Sequence, residues 1–111
     1  TIERERPDVF FPIEARRIAP DDAWLSPFQG GQRGSIAVHC HYRDEFAFMF
    51  ELIQPILLRH GGRPHWGKLH NLQGQALEAL YPKWNDFRKL RQQLDPESRM
   101  LNLYLKGLFN V

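Results

Sequence analysis

A single cysteine, Cys40, stands among 111 residues. One thiol excludes an intrachain disulfide framework and fits a reducing compartment. No block of one charge sign is present. The 15 basic and 13 acidic residues are interleaved and leave a net charge of only +2, so no basic stripe argues for nucleic acid. The longest apolar stretch, around Phe46 to Leu58, is interrupted by Glu51, Gln54 and Pro55. It is too short and too polar to span a bilayer. No secretory signal, internal repeat or low-complexity tract is visible. The run Gly30-Gly31-Gln32-Arg33-Gly34 is no dinucleotide fingerprint, because its glycine spacing differs and no strand-to-helix turn follows. The sequence therefore shows no phosphate cradle.

A hydrophobic content of 42% with 25% charged residues describes an ordinary globular chain with one modest core. It begins at Thr1 and opens on Glu3-Arg4-Glu5-Arg6 ahead of a strand-like run, which reads as a piece of a longer polypeptide. Alternation predicts a first strand over Val9 to Ile18, with Pro12 near its beginning or at an edge. Gln29 to Gly34 reads as a hairpin loop. A second strand is expected over Ser35 to Tyr42, with Ile36, Val38, Cys40 and Tyr42 on one face and Ser35, Ala37, His39 and His41 on the other. A helix is expected from Arg43 to the glycines at 61 and 62, kinked or divided by Pro55. Pro64 to Leu69 reads as a third extended segment. Helices are expected over Gln73 to Leu80 and Trp84 to Leu94, the second ended by Asp95-Pro96. The apolar tail from Met100 to Val111 needs something to dock on, a second copy of the chain included. The sum is an α+β fold, a few-stranded antiparallel sheet with helices on one face.

The residues able to carry chemistry are Glu14, Arg16, His39, His41, His65 and Lys68. All fall on segments read as extended, where their polar faces can converge on a site or simply form a solvated outer face. Glu14 and Arg16 share a face about 6–7 Å apart, either as a surface ion pair worth little or as a carboxylate orienting a guanidinium that holds an oxyanion. His39-Cys40-His41 raises a metal site, with His65 or His70 as a third ligand. In a strand, however, Cys40 points away from the two histidines, and the spacing falls short of a zinc pattern. No metal is expected. His65-Trp66-Gly67-Lys68 combines an imidazole, a flat indole wall, a bare backbone position and a compact cation. That set suits a flat ligand beside which negative charge develops.

The run Gly62-Arg63-Pro64-His65-Trp66-Gly67-Lys68 resembles the signature of the aldonolactone and alditol oxidases, flavoproteins of the vanillyl-alcohol-oxidase type. Phe11-Pro12-Ile13-Glu14-Ala15-Arg16 resembles the family's E-x-R strand, and Asp21 to Phe28 resembles the stretch that follows. Leu80-Tyr81-Pro82, Phe87, Leu94-Asp95-Pro96 and Leu101-Asn102 resemble its C-terminal run. The resemblance implies the C-terminal part of such an oxidase. Residues 1–80 would be a portion of the substrate (cap) domain, and residues 81–111 a helix and tail returning towards an FAD domain. That N-terminal domain, a partner in the same protein, would make most FAD contacts. None of the five histidines matches the family's flavin-linking position, so this chain alone is expected to be inactive.

By motif, Glu14, Arg16 and Lys68 match polar active-site residues, and His39 matches a substrate-side histidine. Lys68, Trp66 and His65 are the expected cofactor contacts. The implied substrate is a small polyol or a sugar lactone, with a lean to lactones from Lys68-Leu69-His70-Asn71, and oxygen is the implied acceptor. The location implied is cytoplasmic, with membrane association of the parent protein open. Two readings from other classes stand beside this one: a non-catalytic assembly module docking through its apolar tail, and a small histidine-based metal domain.

Overall fold

The computed structural model describes residues 2–111. A four-residue helix, α1 (Ile2–Glu5), opens the chain, followed by β1 (Glu14–Ile18) and β2 (Arg33–Ala37). The two strands pair antiparallel, with Glu14 opposite Ala37, Arg16 opposite Ser35 and Ile18 opposite Arg33. A π-helical turn over Met49–Ile53 runs straight into α2 (Gln54–Arg59). Then come α3 (Gly74–Leu80), α4 (Trp84–Leu94) and α5 (Leu103–Phe109). The fold is α+β, as its sequence pattern indicates.

Four elements differ from expectation, three of them in the extended segments. β1 starts at Glu14 rather than Val9, because Pro12 brings no N–H to a ladder and β2 has no pairing residue beyond Ala37. For the same reason β2 ends before His39, and it begins early enough to take Arg33 and Gly34 out of the hairpin loop. Pro64 to Leu69 is not a strand. It is a turn closed by the Lys68 amide donating to the His65 carbonyl at 2.8 Å, so the sheet has two strands and not three.

The long helix expected from Arg43 begins only around Met49, and Pro55 divides it. Proline lacks the N–H that Glu51 would have received. The backbone answers by widening its register, so that the Gln54 amide reaches back five residues to the Met49 carbonyl. The helix then closes as expected. Gly61 adopts φ +69°, and the Gly62 amide bonds the Leu57 carbonyl at 2.8 Å, a glycine cap of the kind that satisfies last-turn carbonyls.

The core is small and lies among the last three helices. Leu77, Tyr81, Trp84, Leu108 and Phe109 are buried together, with Leu25, Trp66, Leu72, Leu80, Phe87, Leu101 and Leu105 packed around them. The apolar tail thus finds a docking partner inside its own chain. Trp84 lies 5.1 Å from the Phe109 ring and 6.1 Å from that of Tyr81. Gly74 permits this closeness, since a Cβ there would meet the Leu108 carbonyl oxygen at 2.2 Å. The α4–α5 connection is held by Asp95, which accepts from the Arg99 and Met100 amides at 2.8 and 3.0 Å. Those amides, Met100 first, hold the Asp95 carboxyl below the usual carboxylate range.

Much apolar surface stays uncovered. Phe10, Tyr42, Leu69, Leu94, Met100 and Leu103 are exposed. The chain presents 8135 Å² to solvent, where a compact monomer of its mass presents about 6,400 Å². Its radius of gyration is 15.9 Å, against about 13 Å for a compact domain of this length. The described chain is thus more extended, and more exposed, than a compact domain of its size.

Candidate functional site

β1 carries Glu14 and Arg16 on one face, two residues apart, and the two side chains form an ion pair. His39 lies two residues past the end of β2, and its Nε2 comes within 4.0 Å of the other Glu14 oxygen. The register explains the meeting: Glu14 is opposite Ala37, so the chain leaving β2 passes beside it. The structure therefore brings together Glu14, Arg16 and His39, through a loop where alternation anticipated a continued strand. All three are open to solvent, with the Arg16 side chain 66% exposed. His41 turns elsewhere, its Nδ1 lying 3.8 Å from Asp44. Among the described residues no three metal-binding side chains converge.

The second candidate group, His65, Trp66 and Lys68, lies on the turn before α3. The Trp66 indole donates to the Leu25 carbonyl at 3.1 Å. The Tyr81 hydroxyl donates to the Pro64 carbonyl at 3.0 Å. Arg63 donates to the Gln29 carbonyl at 3.0 Å and stands over the Tyr81 ring at 5.3 Å. The Tyr104 hydroxyl of α5 donates to the Trp66 carbonyl. Lys68 and His65 are themselves exposed, and no ion pair engages Lys68 among the described residues.

These anchors attach the turn to the loop end of the hairpin, near Leu25 and Gln29. Glu14 and His39 lie at the opposite end, about 13 Å along the strand from Ile18. No hydrogen bond or ion pair joins the two groups within the described residues. Within the described residues they are two separate groups on one surface.

Electrostatics follow burial. Tyr81 is 1% exposed, and burial pushes its phenol up to about 12 against the opposing charges of Arg63 and Arg33. Arg63 is lowered, first by burial and then by the like charge of Arg33. The neutral phenol that donates to Pro64 is thus the form the fold favours. Stability from burying the phenol in its neutral form is complete below pH 10 and is lost as pH rises through about 12. Alkaline titration followed at the tyrosinate band should show Tyr81 ionising last of the three tyrosines, together with loss of helical circular dichroism. Ionisation of all three tyrosines near pH 10 with the fold intact would contradict this.

A cavity of about 480 Å³ is lined by residues that include Arg17, Ile18, Pro20, Gln32 and Arg33 and by none of the candidate residues. The chain's exposed Arg16 and Lys68 fit an anionic ring edge or a substrate oxygen. That cavity includes neither, and among the described residues no glycine-rich loop opens a helix able to cradle a pyrophosphate. The fit to FAD is thus that of one wall, not of a whole binding site.

Sequence comparison finds the chain similar to proteins named as lactone dehydrogenases, lactone oxidases and an alditol oxidase. The family model for D-arabinono-1,4-lactone oxidase matches residues 1–108, and the chain belongs to that family. It is 39% identical over 105 residues to an L-gulono-1,4-lactone dehydrogenase of Mycobacterium tuberculosis, covering 95% of this chain and 24% of the relative. It is 38% identical over 106 residues to the L-gulonolactone oxidase of Scyliorhinus torazame, covering 89% and 23%. It is 34% identical over 100 residues to an alditol oxidase of Streptomyces, covering 87% and 24%. The chain spans about a quarter of the length of these curated relatives. The family is flavin-dependent in general, and the resemblance of the His65-to-Lys68 turn and the Glu14–Arg16 strand agrees with it.

Sequence reasoning missed Tyr81, Tyr104 and His70 as supports of the turn. The signal available was a hydroxyl at Tyr104 within the otherwise apolar Leu103–Leu105, an aromatic ring with a polar handle able to bond a neighbouring carbonyl.

Proposed function

We propose that this chain is the substrate-side wall of an FAD-dependent oxidoreductase that oxidises a sugar lactone or an alditol, with oxygen as acceptor. In this reading residues 1–80 belong to the cap, residues 81–111 return towards an FAD domain in the same polypeptide, and the chain alone does not turn over. The observation that carries it is the meeting of Glu14, Arg16 and His39 at one end of an open hairpin, within an exposed surface larger than a compact monomer presents.

The residue types suit the chemistry. Oxidising a carbinol removes a hydroxyl proton and a hydride and leaves a carbonyl. When bound, FAD supplies the acceptor for that hydride. The Arg16 guanidinium holds the oxygen on which negative charge develops, a preorganised cation whose effect grows as water is excluded. Lys68 supplies a second cation from the opposite edge. His39 takes the hydroxyl proton at Nε2, and the imidazolium so formed faces the Glu14 carboxylate 4.0 Å away. Glu14 also orients Arg16. Trp66 and His65 give a flat wall beside the reacting ring.

The test is anaerobic reduction of the flavin in the full-length protein by two substrate series. Aldonolactones should bleach it faster than alditols of the same carbon number, following the lactone-like run after Lys68. Alditols reducing it faster would move the chain to the polyol branch.

A further inference from the structure

The Trp66–Gly67 peptide is held at both of its faces by side chains. On one side its carbonyl accepts from the Tyr104 hydroxyl and lies 3.3 Å from His70 Nε2. On the other its N–H, belonging to Gly67, is directed at His65 Nδ1 at 3.3 Å. A peptide is planar with C=O and N–H pointing oppositely, so two opposed anchors fix the orientation of the whole plane. The next residue is Lys68, whose amide closes the turn on the His65 carbonyl at 2.8 Å.

The protons can be assigned. Tyr104 has one hydroxyl proton, and it goes to the Trp66 carbonyl. His70 Nε2, 2.8 Å from the Tyr104 oxygen, must therefore donate to that oxygen. This fixes the Nε2–H tautomer and leaves Nδ1 bare, and Nδ1 is buried without a partner in the described structure. Tyr104 rides on α5, whose far end, Leu108 and Phe109, is buried in the core. Asn102 caps that helix by accepting from the Leu105 amide at 2.9 Å. A rigid element 38 residues away in sequence thus grips the peptide immediately before the lysine. Without that grip, Gly67 leaves this peptide free to rotate, because glycine has no Cβ to confine it.

We infer that His70 and Tyr104 are positioning residues: as a clamp on the Trp66 carbonyl they set the direction in which Lys68 reaches the reacting centre. The inference rests on the reading of Lys68 as the second cation of the site. It makes the C-terminal helix part of the catalytic apparatus without touching substrate. A misaimed group costs of the order of 10- to 100-fold in rate.

The test is a double-mutant cycle in the full-length flavoprotein, read as the rate of anaerobic flavin reduction at saturating substrate. Tyr104→Phe should slow reduction about 10-fold or more, with little change in substrate affinity and with flavin content retained. In a Lys68→Met background the same change should have almost no further effect, because there is no longer a cation to aim. His70→Gln, which keeps a donor near the Nε2 position, should preserve most of the rate, and His70→Leu should not.

A purely structural role predicts equal losses from Tyr104→Phe in both backgrounds, tracking thermal stability, and that result would overturn the clamp. Lys68→Met slowing reduction while Tyr104→Phe does not would also overturn it, leaving the role of Lys68 standing. Unchanged reduction in Lys68→Met would remove both. Should Tyr104→Phe lose its flavin, the His70→Gln and His70→Leu pair decides by the same comparison.

Discussion

Arg16→Ala in the full-length oxidoreductase is expected to slow flavin reduction by substrate about 10²–10³-fold, the scale of removing one preorganised donor from a developing oxyanion. Stability should hardly move. The Arg16–Glu14 pair is open to solvent in this chain, and exposed pairs of this kind are worth about 0–1 kcal/mol. The combination is diagnostic: a large loss of rate with a small shift in the unfolding midpoint. Rapid-mixing reduction kinetics and a urea titration on the same sample give both numbers. A small rate effect with a large loss of stability would make Arg16 a structural residue and withdraw it from the mechanism. Arg16→Lys should recover only part of the rate, because an ammonium cannot reproduce the planar fork of a guanidinium.

The second large effect concerns the scaffold. Trp84→Ala is expected to cost about 3–5 kcal/mol, the range for removing a large buried aromatic. Trp84 is 2% exposed and sits between Tyr81 and Phe109, where it joins α4 to the docked C-terminal helix. The core has only a few such residues, so little is available to collapse into the space. The loss should propagate to the turn carrying Lys68, because Tyr81 and Tyr104, which hold that turn, both depend on the same cluster. Denaturant unfolding of the full-length protein measures it. Trp84→Phe, which keeps most of the buried ring, should lose markedly less. Equal and small losses for both variants would show that α4 does not organise this core.

How much of this was legible in the sequence differs between local and long-range features. α4 could be read to the residue, Trp84 to Leu94, because its apolar positions follow the helical period and Asp95-Pro96 ends it. The division at Pro55 and the cap at Gly61 were equally local, each following from one residue's backbone chemistry. The strands were overread. Alternation continues through His39 and His41, but a strand exists only where a partner pairs with it, and β1 offers none beyond Glu14. His39 nonetheless reaches Glu14, by proximity of the chain leaving β2. The turn from His65 to Lys68 reads as an extended segment from the sequence alone. What shapes it are contacts from Leu25, Tyr81 and Tyr104, which no local pattern encodes. The candidate residues were legible from their polar chemistry on segments read as extended, and the motif resemblance gave Glu14, Arg16, Lys68 and His39 their roles; their division into two groups at opposite ends of the hairpin came only from the structure.

That division defines the account. Glu14, Arg16 and His39 form one edge and Lys68 and Trp66 another, and in the proposed function a flavin-bearing domain closes the space between them. The most direct measurement is the absorbance spectrum of the full-length protein before and after anaerobic addition of an aldonolactone. The account predicts a yellow protein with flavin bands that bleach on addition and return when oxygen is admitted. A colourless protein, or flavin bands that neither lactones nor alditols bleach, would contradict it.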